Sequence, residues 1–404
     1  MQPRRSESTP RANRKHIGIF GCRNAGKSSL INAITGQDLA IVSAQKGTTT
    51  DPVYKSMELL PLGPVVLIDT PGLDDEGELG TQRIKKAQQV LSKCDLALLL
   101  IDAQQGPSRA DEEILERICA KNIPYIQVWH KSDLCKNPEL PEPCHNCIAV
   151  SSKLRSNIGE LKAMMAKLLA DEEENRHIIA DLIAPGDLIL LVTPIDEAAP
   201  KGRLILPQQQ TIREILDHHA TALLAQDSEL TTLLPKLATP PRLVVTDSQV
   251  FAKVAAVLPP SLPLTSFSML FARYKGNLAT VVCGAKQLDH LQDGDKLLIA
   301  EGCTHHRQCN DIGSVKLPGW INKFSGKKLQ YYFCSGVEFP EDLRQFSLII
   351  HCGGCMLNER EMRYRLQSAK DQAVPISNYG VSIAYMHGIL KRSLQVFPEL
   401  CELL

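Results

Sequence analysis

The 404-residue sequence has no net charge, since 45 Lys and Arg offset 45 Asp and Glu. That removes the global electrostatic case for nucleic acid or an anionic membrane as a partner. Aromatic residues are scarce, at 5%, and no basic, aromatic-studded patch of the kind that stacks on bases can be found. No apolar run approaches a membrane span, and the opening residues lack the apolar core of a signal peptide. A cytoplasmic protein is the expectation. Internal repeats and low-complexity tracts are missing too, which argues against a solenoid or a long linker.

Cysteine is not lacking. Thirteen cysteines in a cytoplasmic chain should be mostly thiols, and a close cluster of them suggests metal rather than disulfide. The hydrophobic share of 44% and charged share of 22% are those of a soluble globular protein. The length exceeds one ordinary core, so two or three domains are expected. Only the start is clearly basic, with Arg4, Arg5, Arg11, Arg14 and Lys15 among Pro and Ser; residues 1–14 read as a solvated, disordered tail.

The first part alternates between apolar runs and amphipathic stretches. His16–Phe20, Val65–Ile68, Leu96–Ile101 and Tyr125–Val128 read as strands. Lys27–Ile34, Ala110–Lys121 and Asn157–Leu169 read as helices. Strands alternating with helices predict an α/β fold with a parallel sheet. The charged stretch Asp171–Arg176 ends this domain, placed at residues 15–172. A smaller α/β unit follows at 178–268, with strands Leu188–Thr193 and Leu243–Thr246 and helices Thr211–Leu224 and Val250–Val257. It is thin for a self-sufficient core, so burial against a second copy is expected. The remainder, 270–404, holds the unusual cysteine and histidine positions.

Gly21-Cys22-Arg23-Asn24-Ala25-Gly26-Lys27-Ser28 fits GxxxxGK[ST] between a strand and a helix, and Ser29 continues it. Small residues let backbone N–H groups of Ala25, Gly26 and their neighbours approach phosphate oxygens. Lys27 reaches the β/γ-phosphates and the Ser28 hydroxyl ligates Mg²⁺. A Gly-rich turn that binds nothing would satisfy this motif alone. Two further elements argue against that. Asp69-Thr70-Pro71-Gly72 follows a strand, where a carboxylate holds Mg²⁺ through water and the Gly72 N–H senses the γ-phosphate. Thr49, in Gly47–Asp51, lies where a switch loop places a threonine on the metal.

His130-Lys131-Ser132-Asp133 follows another strand. A buried Asp133 carboxylate would accept from the guanine N1–H and 2-amino group, an edge that adenine lacks. Lys131 would pack over the base and brace the phosphate loop. Ser151-Ser152-Lys153 would offer a backbone N–H to the guanine oxygen. Order and spacing define a GTPase. This part resembles the GTPases of the Era and tRNA-modification type, whose phosphate loop reads N-x-GKS as Asn24–Ser28 does. His130 departs from that group's Asn, and Leu73 stands where signalling GTPases carry a water-orienting glutamine. The resemblance implies that Asn24 helps hold a K⁺ and that hydrolysis is slow and K⁺-stimulated.

Cys303-Thr304-His305 and His351-Cys352-Gly353-Gly354-Cys355 form the second constellation. The latter follows the strand-like run Phe346–Ile350, and its two glycines let both thiols face one point. Three thiolates with an open or imidazole-filled fourth position suit a 4Fe–4S cluster or Zn²⁺. Spacing alone leaves these two, and buried structural thiols, open. His305 and His351 are candidates for the fourth ligand. His306 reads as a surface residue, and Cys309 is chemically able to bind.

C-x-H followed at long range by H-C-x-x-C resembles the signature of the FeFe-hydrogenase maturation GTPase family, HydF. The similarity covers the whole chain and continues in Pro375–Val381. It implies a 4Fe–4S cluster on Cys303, Cys352 and Cys355 in the last domain, a dimerisation domain in the middle and a homodimer. It further implies a scaffold that takes a diiron precursor from two radical-SAM maturases and delivers it to immature FeFe-hydrogenase. The alternative is an RNA-associated GTPase whose last domain holds structural zinc. Cys144 and Cys147 read as incidental thiols, Cys22 as a tolerated loop residue, and Cys94, Cys119 and Cys135 as small apolar fillers.

Overall fold

A computed structural model describes residues 14–36, 52–72, 86–87, 89–135, 146–170, 177–194, 204–302, 312–336 and 338–404. The chain forms two compact units, Met1–Asn175 and Arg176–Leu404.

The first unit is built on a six-stranded sheet of order β2-β3-β1-β4-β5-β6. Its strands are β1 (Lys15–Gly21), β2 (Val53–Leu59), β3 (Gly63–Asp69), β4 (Leu96–Asp102), β5 (Tyr125–His130) and β6 (Cys147–Val150). All neighbours are parallel except β2, which runs antiparallel on β3. Buried parallel strands read as continuous apolar runs, and LALLLID in β4 is one. Strand β2 escapes the hydrophobic pattern because it is a half-exposed edge with Lys55, Ser56 and Glu58 in it. Apolar cores cover both faces: Leu30, Leu98 and Leu161 lie on one, Phe20, Leu99 and Ile118 on the other. The register pairs Ile19 with Asp69, Asp102 with His130, and His130 with Val150. The carboxyl ends of β1, β3, β4, β5 and β6 therefore share one edge, where ligands bind in open α/β sheets.

The second unit contains two parallel four-stranded sheets, of orders β10-β9-β7-β8 and β12-β11-β13-β14. The first holds β7 (Leu188–Val192), β8 (Thr221–Ala225), β9 (Leu243–Thr246) and β10 (Leu264–Ser266). The second holds β11 (Lys296–Glu301), β12 (Gln330–Ser335), β13 (Leu348–His351) and β14 (Ile376–Asn378). One core joins Leu191 and Val245 of the former to Leu298 and Ile349 of the latter, through Leu270 and Val281 on helices Phe267–Lys275 and Leu278–Ala285. The closest approach is at Gly284, where an added Cβ would lie 2.0 Å from the Ile376 carbonyl oxygen. The helix expected over Thr211–Leu224 is instead helix Leu206–Asp217 followed by β8. His218 ends the helix, and His219 turns the chain at φ 58°. The fold class is as expected, a P-loop α/β domain followed by further α/β structure.

No described helix is long and apolar enough to cross a membrane.

Candidate functional site

The phosphate loop leaves β1 at Gly21, whose φ of 145° and contact with the Leu100 carbonyl (2.5 Å from an added Cβ) exclude a side chain. Asn24 at φ 64° and Gly26 at φ 98° complete the turn into helix Lys27–Thr35. That helix has no side-chain cap, so its first amides and its dipole serve the loop. The Lys27 ammonium donates to the Gly21 and Cys22 carbonyls, both at 2.8 Å. The Ser28 hydroxyl donates to Asp69 Oδ2 at 3.2 Å, which puts the two expected Mg²⁺ groups side by side. Burial raises the Asp69 pKa, opposed by Lys27 and Ser28. Thr70 is buried and donates to the Ile19 carbonyl, fastening β3 to β1. Gly72 is half-buried just beyond. Thr49 and Leu73 lie outside the described residues.

His130 joins the two halves of the nucleotide site. It is 4% exposed, with Nδ1 2.9 Å from the Ala25 carbonyl and Nε2 2.7 Å from Ser152 Oγ. A carbonyl only accepts, so Nδ1 carries the proton and Nε2 accepts from the Ser152 hydroxyl. Burial lowers the His130 pKa, against the Ala25 bond. An added Cβ at Gly26 would sit 2.3 Å from His130 Nδ1, so the ring needs that glycine.

Lys131, at φ 61°, donates to Asp102 Oδ2 at 2.6 Å. It braces the end of β4; the bracing of the phosphate loop expected of Lys131 falls to His130. Burial works against the Asp102 carboxylate, but Lys131 and the Gln104 amide outweigh it and hold its pKa below the ordinary value. Asp133 is half-exposed rather than buried, and the Ser151 hydroxyl donates to its Oδ1 at 2.6 Å. That bond holds its pKa below the ordinary value. Ser151 and Ser152 thus act through their hydroxyls, a role that their reading as backbone donors missed. Lys153 is exposed.

The second site lies on the carboxyl edge of the last sheet. Residues Ala300 and His351 pair in register, so β11 and β13 end together. Cys352 Sγ accepts from Gly302 N–H at 3.0 Å and Gly354 N–H at 3.4 Å. Gly354 turns at φ 61°, and an added Cβ there would meet Met362 Sδ at 2.6 Å. Gly302 lies against Leu357 and Gly354, with an added Cβ 2.8 Å from Leu357 Cγ. Amide donors on sulfur favour the thiolate that a cluster or zinc requires. The donor set therefore fits a thiolate-bound metal group. Cys303, His305, His306 and Cys309 lie outside the described residues. Among the described residues no third metal-binding side chain joins Cys352 and Cys355.

His351 is 1% exposed and has both ring nitrogens engaged. Nδ1 lies 2.7 Å from the Cys352 carbonyl, and Nε2 accepts from Arg365 Nη1 at 2.9 Å. Both ring nitrogens of His351, a candidate fourth ligand, are thus taken up by hydrogen bonds in this arrangement. Arg365, fully buried, also bonds Glu361 Oε1 and the Gly336 carbonyl at 2.7 Å. Behind the turn, the Lys275 ammonium donates to the carbonyls of Leu357, Cys355 and Gly354. Burial drives its pKa down to about 8, with the Cys355 and Cys352 thiols acting the other way. Burial likewise raises that of Cys355, and Cys334 reaches about 11. Asp102 ends an apolar run and was detectable by that position; Lys275, Arg365 and Glu361 carried no sequence signal. Cys147 is disulfide-bonded, which corrects its reading as an incidental thiol, and Cys144 lies outside the described residues.

Three family models match the chain in order. A 50S ribosome-binding GTPase model matches residues 16–131, a hydrogen maturase F dimerization domain 178–276, and a hydrogen maturase F tetramerization domain 279–396. The tRNA modification GTPase MnmE of Janthinobacterium sp. (strain Marseille) is 32% identical over 181 residues, covering 41% of this chain and 38% of that protein. Its counterpart in Legionella pneumophila (strain Corby) is 33% identical over 216 residues, covering 52% and 44%. The chain spans less than half the length of these relatives. Among solved structures, Aquifex aeolicus Era bound to GDP and aluminium fluoride shares 22% identity, over 52% of this chain and 92% of that one, at a TM-score of 0.35. The first unit carries a GTPase domain of the P-loop class. The chain belongs to the hydrogen maturase F family, whose two domain models together match more than half of it.

Proposed function

We propose that this protein hydrolyses GTP and serves as a scaffold that carries an iron–sulfur group for hydrogenase maturation. Lys27, Ser28, Asp69 and Gly72 would surround the phosphates, with Mg²⁺ on Ser28 and Thr49 and with Asp69 reaching it through water. Asn24 would contribute to a K⁺ site that speeds slow hydrolysis. Asp133, set by Ser151, would read guanine, and His130 with Ser152 would keep the base loop and phosphate loop in register. Ser29 and Lys153 flank these groups.

Cys303, Cys352 and Cys355 would hold a 4Fe–4S cluster in the last domain. Such a cluster supplies an iron position that the three thiolates leave unfilled. The protein's own residues orient the turn, exclude water behind it and donate amides to sulfur. The cargo would be a diiron precursor, taken from two radical-SAM maturases and passed to immature FeFe-hydrogenase. The dimerization and tetramerization domains support a homo-oligomer built from a homodimer, and a cytoplasmic setting suits free thiols.

The observation that carries this reading is the meeting of Gly302 with the Cys352–Cys355 turn in a chain of this family. Anaerobic purification tests it. Brown protein with iron and sulfide, lost on Cys352→Ser or Cys355→Ser without loss of GTPase activity, is the expected result. Colourless protein with one zinc would favour an RNA-associated GTPase instead.

A further inference from the structure

We propose that Lys275 is a positioning residue for the thiolate site and that it is supplied to that site by the dimerization domain. The inference rests on the iron–sulfur reading above. The dimerization match ends at residue 276 and the tetramerization match, which holds the cysteines, starts at 279. Lys275 is the last residue of helix Phe267–Lys275, which packs in the core shared by the two sheets. Its side chain crosses from that helix to the cysteine turn and is 4% exposed. The ammonium has three acceptors there, the carbonyls of Leu357 at 3.0 Å, Cys355 at 3.3 Å and Gly354 at 3.4 Å.

This arrangement is costly unless something repays it. A buried cation needs an opposing charge or a full set of acceptors. The three carbonyls supply the acceptors, and among the described residues no carboxylate bonds to Lys275. With a cluster bound, the opposing charge would be the thiolates of Cys355 and Cys352 on the same turn. Lys275 thus does two things. It fixes the backbone of residues 354–357 through the carbonyls of Gly354, Cys355 and Leu357. It also offsets part of the negative charge that thiolates and a cluster bring into a buried place. Because the lysine rides on the dimerization domain's helix, a shift of that helix moves a charge relative to the cysteine turn. The domain that assembles the oligomer is thereby wired to the domain that holds the metal group.

The test uses the full chain, anaerobically reconstituted with iron and sulfide, as wild type, Lys275→Met, Lys275→Gln and Lys275→Arg. Loss of a nearby positive charge disfavours adding an electron to the cluster. Both neutral variants should shift the midpoint potential to more negative values and alter the electron paramagnetic resonance signal of the reduced cluster. Lys275→Arg should restore the potential, and GTPase activity should stay unchanged in all. Gln retains donor hydrogens without the charge, so it separates charge from loop support if Met destabilises the fold. Wild-type potential and signal in Lys275→Gln would overturn the proposal, as would reduced soluble yield with an unchanged potential. If wild type itself takes up no iron and sulfide, the iron–sulfur reading has failed instead.

Discussion

Arg365 Nη1 donates to His351 Nε2 across 2.9 Å, at a point where both side chains are essentially solvent-free. Because Arg only donates, the histidine proton must sit on Nδ1, aimed at the Cys352 carbonyl 2.7 Å away. Helix Glu359–Asp371 therefore sets the entrance to the cysteine turn through two side chains. Glu361 completes the set at 2.9 Å from Arg365 Nε.

Breaking this pair from one side should be expensive. Arg365→Met leaves Glu361 buried without its cation and should destabilise the second unit by about 3–5 kcal/mol. Urea unfolding followed by the second unit's signals would measure it. The double variant Arg365→Met/Glu361→Leu should recover much of the loss, whereas equal or greater loss in the double would refute the charge argument.

His130 should make the first unit acid-sensitive. Its pKa is lowered from an ordinary 6.5, chiefly by burial, so below 6.5 the unfolded chain binds a proton that the native state refuses. Stability is fully present above 6.5 and falls as pH drops through the lowered value, with a slope of at most about 1.4 kcal/mol per pH unit for one group. Denaturant midpoints from pH 5 to 8 would show the decline, and His130→Asn should flatten it. An unchanged decline in the variant would assign it elsewhere.

Asp133→Asn should weaken GTP by about 100-fold or more, because a carboxylate facing two guanine donors becomes an amide. Xanthosine triphosphate, which presents a carbonyl at the 2-position, should gain in competition binding. Ser151→Ala should give a milder loss in the same direction, since it frees Asp133 Oδ1 without removing the carboxylate. Equal affinity for both nucleotides in wild type would remove Asp133 from the base site.

Lys27→Ala should reduce turnover by on the order of 100-fold or more, the scale of losing one electrostatic donor to developing charge. The fold should persist, because the Lys27 ammonium bonds the Gly21 and Cys22 carbonyls of the phosphate loop rather than a core group. Single-turnover GTP hydrolysis would check it.

Much of the nucleotide site was legible because its parts sit at the ends of apolar strands, and short motifs mark those ends. Gly21, Lys27, Ser28, Asp69 and Asp133 each follow a run that can only be a buried strand. The hydroxyl contacts of Ser151 with Asp133 and of Ser152 with His130 were not legible, since they depend on β5 and β6 ending side by side. Strand β8 was hidden inside a helical pattern, and only the turn at His219 reveals it. Lys275 and Arg365 look like ordinary basic residues on amphipathic helices. Their burial follows from which elements pack together, and no local spacing encodes that.

The parallel pairing of β11 with β13 has a consequence for biosynthesis. Gly302 meets Cys352 only once β11 and β13, far apart in the chain, have paired in the sheet. A nascent chain thus offers separated thiols and no pocket. A metal group held by this turn would therefore be inserted into the finished protein, unlike the metal-nucleated folding of a zinc finger. Stripping the metal should accordingly leave a folded, reloadable apoprotein.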